Sequence, residues 1–178
     1  MSYTPTGMFA TDHRVRVMLS SCAIVQTLMG VADFESAMAK VTAYGEEVDE
    51  QNVPVLAYPS GQVCMKEQHF TTGTMGEILD IPLRTVECWF GLYVPENEDI
   101  VTHSDEKHWI DDQFSEIIRQ CLELTGTGEP IAGETHVHVV NPTYHGCERE
   151  PADERGDAAL DSQPDRPRWF GLVTWEIH

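Results

Sequence analysis

The sequence predicts an α+β fold: a mostly antiparallel sheet with two main helices packed on one face, and long exposed loops. Two stretches carry that expectation. Residues 84–94 alternate, with Val86, Cys88, Phe90, Leu92 and Val94 on one side of a pleat and Thr85, Glu87, Trp89 and Tyr93 on the other, which describes a strand with one face in a core. Residues 107–124 bring Ile110, Phe114, Ile117, Ile118, Cys121, Leu122 and Leu124 round at helical spacing. An amphipathic helix has to cover something, and the sheet containing the preceding strand is its simplest partner. With 178 residues, of which 41% are hydrophobic, the chain is expected to form a single domain, residues 1–178, around a real core.

In chain order, residues 1–10 contain Pro5 and Gly7, show no periodicity and read as an extended arm. Thr11 or Asp12 can cap a first helix over residues 14–28, closed by Gly30, with Val17, Met18, Ile24, Val25 and Leu28 as its apolar set. Asp33 caps a short turn over residues 34–40, and residues 41–44 are strand-like. Residues 53–59 form a short strand bracketed by prolines, placed at an edge because Pro54 has no N–H for a ladder. Ser60 and Gly61 read as a turn and residues 62–66 as a short return strand, while the Thr- and Gly-rich residues 67–76 read as an exposed mobile loop. Residues 78–83 lead into the central strand, and Ser104 or Asp105 caps the second helix. Residues 135–140 alternate as a strand that Asn141-Pro142 stops; residues 148–167 are a long polar loop, and residues 168–178 a last strand with Trp169, Val173, Trp175 and Ile177 on one face.

The formal charge of −19, from 30 acidic and 11 basic residues, argues against adhesion to nucleic acid through its phosphates, since no counterions are released. Enclosing such a polymer is another matter, because an acidic bore lets it pass without sticking. No apolar run is long enough to span a membrane, and the chain opens without a signal-peptide pattern, so a soluble cytoplasmic product is expected. The five cysteines are widely spaced with no CxxC pair and read as buried free thiols.

No GxGxxG, GxxxxGK[ST] or GxSxG pattern is present, so those enzyme classes have no foothold. His136 and His138 point the same way on a strand, and His145 or Cys147 is a conceivable third metal ligand. Residues 133–138 resemble the opening of the cupin metal motif, but Gly133 stands too close to His136 and no glutamate follows where that pattern needs one. Asp111, Asp112 and Glu116 sit on the polar side of the second helix and read as a solvated face. No catalytic residue, metal or cofactor is assigned.

The order of elements, carried by residues 53–59, 88–94, 109–124 and the closing Trp-x-x-x-x-x-Trp-x-x-His run of residues 169–178, resembles the tail terminator (tail completion, neck) proteins of long-tailed bacteriophages. The resemblance implies a non-enzymatic virion protein, assembled in the host cytoplasm. Such a protein forms a ring, commonly a hexamer, that caps the tail tube and joins it to the head. Its implied partners are further copies of itself, the tube protein and the head–tail connector proteins, with genomic DNA passing through the bore. A closed ring needs two unlike patches on each protomer, and Val53, Val55, Tyr58, Phe70 and Thr72 are the expected interface residues. A connector or stopper of the same neck, a cupin-like metal enzyme and a small acidic adaptor are the competing expectations.

Overall fold

The computed structural model describes residues 8–43, 59–74, 80–93, 102–126, 139–149 and 169–177. Three helices, α1 (Met8–Ser21), α2 (Ala23–Leu28) and α3 (Phe34–Lys40), lead into a short strand β1 (Val41–Ala43). The long strands β2 (Ser60–Thr74) and β3 (Asp80–Tyr93) follow, then helix α4 (His103–Gly126), β4 (Val139–Arg149) and β5 (Trp169–Ile177). The five strands form one sheet in the order β1-β2-β3-β5-β4, parallel between β1 and β2 and antiparallel elsewhere. The fold is thus α+β with a mostly antiparallel sheet. Because β5 pairs antiparallel with both β3 and β4, those two run the same way. The chain crosses from one to the other through α4, and β5 fills the gap between them. No helix among the described residues is long and apolar enough to cross a membrane.

The N-terminal helix begins earlier than its pattern suggests and then breaks. α1 starts at Met8, within the expected arm, so Thr11 and Asp12 lie inside it, 1% and 8% exposed, and do not cap it. At Cys22 the backbone turns extended (φ −75°, ψ 126°). The Ser21 hydroxyl donates to the Val17 carbonyl and the Cys22 thiol to that of Met18, the local bonding by which short polar side chains compete with a helix ladder. The side-chain amide of Gln26 caps the freed Ser20 carbonyl at 3.0 Å. The expected end holds: Gly30 takes φ 65°, and the Gly30 and Val31 amides reach back to Thr27 and Gln26, closing α2 in a Schellman turn. α3 has the bounds and cap read from the sequence. The Asp33 carboxylate accepts from the Ser36 amide at 2.9 Å, a bond that also holds its pKa below the usual value.

The alternation of β3 is realised, with Val86, Cys88, Phe90 and Leu92 buried and Thr85, Glu87 and Trp89 only partly so; β5 buries Trp169, Val173 and Trp175 on the same side. Three expectations about strands are corrected. Ser60 and Gly61 open β2 and do not form a turn. Residues 67–74, read as a loop, continue β2 in register from Glu67↔Glu87 to Thr74↔Asp80 after a bulge at Lys66. Without apolar alternation, only the partner strand shows that they are extended. Among the described residues β5 pairs with β3 at residues 84–92, so residues 71–74 and 80–83 form a two-stranded ribbon projecting past it, and Pro82 sits in that ribbon, where one missing N–H is tolerated.

The third correction is β4, which runs straight through Asn141-Pro142 and on into Glu148 and Arg149 of the expected polar loop. An edge strand can carry a proline, and Asn141 takes the left-handed φ of 49° in a bulge where the pairing slips between Val140 and Thr143. The second helix is capped by Thr102, two residues before Ser104 and three before Asp105, the residues expected to cap it. The Thr102 hydroxyl accepts from the Asp105 amide at 3.2 Å, as an N-cap does, and donates to the Asp105 carboxylate at 2.6 Å.

The core lies between α1, α2 and α4 and one face of the sheet. Phe114 stands at its centre, edge-on to Phe90 (centroids 6.2 Å apart) and stacked on Tyr144 (5.4 Å). Ile110, Ile117 and Cys121 extend the same helical stripe, while Leu122, expected to join it, is 46% exposed.

Candidate functional site

Among the described residues, a group of hydrogen-bonded titratable side chains sits where α4 meets the edge strand β4. Tyr144 donates its hydroxyl to Asp111 Oδ1 at 2.5 Å, and the Cys147 thiol donates to the same oxygen at 3.2 Å. Five residues earlier on α4, Glu106 Oε1 accepts the indole N–H of Trp169 at 3.1 Å. In a regular strand, residues three apart face opposite sides. A second bulge, between Tyr144 and Cys147 with Gly146 at φ 109°, inserts the extra residue that turns both toward the helix. His145 faces the other way, exposed, with its Nε2 2.7 Å from the Thr174 hydroxyl. His145 and Cys147 therefore do not converge on a shared ligand.

Burial, followed by the bond to Asp111, raises the Tyr144 hydroxyl well above its usual range. Burial also pushes the Cys147 thiol up to about 11, with Asp111 acting in the same direction and Tyr144 opposing it. Both groups keep their protons at neutral pH and spend them on Asp111. A protonated thiol is a weak nucleophile, so the chemistry available here is that of a latch pinning a twice-bulged edge strand to α4. Sequence reasoning missed it because Asp111 was assigned to a solvated face and the spacing of Tyr144 and Cys147 does not suggest a shared side. Glu116 and Asp112, grouped with Asp111 in that reading, do lie outward. Asp112 is exposed, and Glu116 accepts from Arg119 and Gln120, the Arg119 bonds drawing its carboxyl down to about 2.

Of the expected interface residues, Val53, Val55 and Tyr58 lie outside the described residues, as do His136 and His138. Phe70 and Thr72 stand on β2, opposite Arg84 and Pro82, inside a ladder and not on a loop. All five cysteines are free thiols. Among the described residues no group of three or more His, Cys, Asp or Glu side chains is placed to hold a metal. More than half of the acidic residues, Glu46, Glu47, Asp49 and Glu50 among them, lie outside the described residues, and with them most of the test of a single acidic surface.

The buried thiols carry a pH prediction. Burial raises Cys88 from 9.0 to about 12 and Cys147 to about 11. Folded pKa values above the unfolded ones mean that this contribution to stability is whole below pH 9 and fades as the pH climbs toward 11 and 12. Urea midpoints are expected to fall steeply above about pH 9, and Cys88→Ala combined with Cys147→Ala to flatten part of that slope. An unchanged slope in the double variant would show that these thiols do not carry it.

No family model matches the chain, and no curated protein matches it.

Proposed function

We propose that this chain is a structural virion protein, a ring-forming tail terminator at the neck of a long-tailed phage that caps the tail tube and joins it to the head. The observation that carries the reading is the unlikeness of the two sides of the sheet. On one side, among the described residues, β1 pairs with β2 at Gly61, Gln62 and Val63, and β2 runs on from Cys64 into the projecting ribbon. On the other, β4 is blunted by two bulges and Pro142, devices that discourage strand pairing. Two unlike sides are what a head-to-tail contact between copies needs, the β2 side receiving a segment other than β4, and such contacts make a ring where the rotation closes. The charge of −19 supports a bore that repels DNA phosphate and lets the polymer slide.

Native mass spectrometry of the purified chain, alone and with tail tube protein, tests this. A closed ring, of six copies by the resemblance, is expected, and it should bind the tube. A ring that binds only head-side connector proteins moves the assignment to a connector or stopper. A chain that stays monomeric with tube protein present, or one carrying a stoichiometric divalent metal that is lost when His136 and His138 become Ala, overturns the structural reading.

A further inference from the structure

We propose that Cys22 and Cys121 are an oxidation site, a dithiol that a small peroxide converts into a disulfide joining the α1–α2 break to α4. Their sulfurs lie 3.4 Å apart, in contact across a sequence separation of 99 residues, and both side chains are buried. A disulfide bond is about 2.05 Å long, so the sulfurs need to close by roughly 1.4 Å. Cys22 stands where the helix ladder is interrupted, with extended backbone angles, and the strand-like joint can absorb that shift more readily than the middle of a helix. Its thiol, a weak donor, reaches the Met18 carbonyl at 3.4 Å and the Ile117 carbonyl at 3.9 Å, bonds that cost little to give up.

The other cysteines are engaged differently. Cys88 accepts the Trp175 indole N–H at 3.2 Å, Cys147 donates to Asp111, and Cys64 is half-buried. The chemistry balances with hydrogen peroxide as the oxidant. One sulfur displaces water from the peroxide and becomes a sulfenic acid. The second then attacks that sulfur and expels the hydroxyl as a second water, so that two thiols lose two electrons and two protons to the peroxide. Peroxide is small enough to enter by local opening at the helix break, whereas a bulky disulfide such as oxidised glutathione is not. The Cys22 contact, followed by burial, holds the Cys121 thiol protonated, so the reaction is slow. The inference does not depend on the neck reading.

The test is to incubate the full chain with dilute hydrogen peroxide, quench it, and measure intact mass and non-reducing peptide maps. A loss of two hydrogens per chain is expected, with the Cys22 peptide linked to the Cys121 peptide. The melting temperature should rise by on the order of 10 °C, as a cross-link closing so long a loop predicts, and dithiothreitol should reverse the rise. Cys64→Ser should react like the wild type, and Cys121→Ser should lose the linkage. A wild-type chain that gains oxygen on Cys64 without forming the link, links a different pair, or melts no higher after the mass loss overturns the proposal. The wild-type map decides even if Cys121→Ser does not fold.

Discussion

Gly171→Ala is expected to destabilise the fold by about 3 kcal/mol, at the upper end of what inserting a methyl group into a packed core costs. A Cβ at Gly171 would lie 2.5, 2.6 and 2.8 Å from three ring carbons of Phe114. The ring cannot swing clear, because Phe90 meets it edge-on and Tyr144 is stacked on it. β5 cannot retreat either, since β3 and β4 hold it on both sides through Phe90↔Gly171 and Cys147↔Gly171. The melting temperature should drop by roughly 10 °C for a chain of this size. Trimming the obstacle is the control. Phe114→Leu alone should cost about 1–2 kcal/mol, yet in the Gly171→Ala background it should restore stability, a coupling that urea denaturation of the four proteins reads directly. If Gly171→Ala comes within about 0.5 kcal/mol of the wild type, the aromatic stack is not where the structure puts it.

Trp175→Ala should be at least as damaging, at about 3–5 kcal/mol, from a total stability that for such domains is about 5–15 kcal/mol. The side chain is fully buried, sits opposite Val86 in the ladder, and gives its indole N–H to Cys88 Sγ. Removing it leaves a large apolar void beneath the helices and frees a buried sulfur. Trp175→Phe keeps most of the volume and loses the N–H contact, so it should fall between. Trp89 lies on the opposite face of the same sheet and is partly exposed, so its truncation should cost clearly less. Equal losses at Trp89 and Trp175 in chemical denaturation would contradict the assignment of the core to the helix-bearing face.

Much of this was legible because it depends on near neighbours in sequence. The alternation of Val86, Cys88, Phe90 and Leu92, the 3.6-residue recurrence of Ile110, Phe114, Ile117 and Cys121, and the Asp33 cap with its Ser36 amide are each set within a few residues, by pleat, pitch and a local hydrogen bond. Local reading failed where a distant partner outvoted local preference. Thr71 to Thr74 are polar and show no apolar alternation, but a ladder to residues 80–83 holds them extended. Asn141-Pro142 is a strong stop signal, but an edge position next to β5 tolerates it as a bulge. Asp111 has the spacing of a surface carboxylate, and only the kink at Gly146 brings it two donors.

By itself, then, the sequence determined that α3, α4, β3 and β5 form, which side of α4, β3 and β5 is apolar, and that the whole carries a large negative charge, because periodicity and composition are properties of the chain alone. The tertiary structure decided the strand order, the insertion of β5 between β3 and β4, the two bulges of β4, and the meeting of Cys22 with Cys121. Those features exist only once residues far apart in sequence compete for the same neighbours, and a residue's best partner across such a separation is set by what else is packed around it.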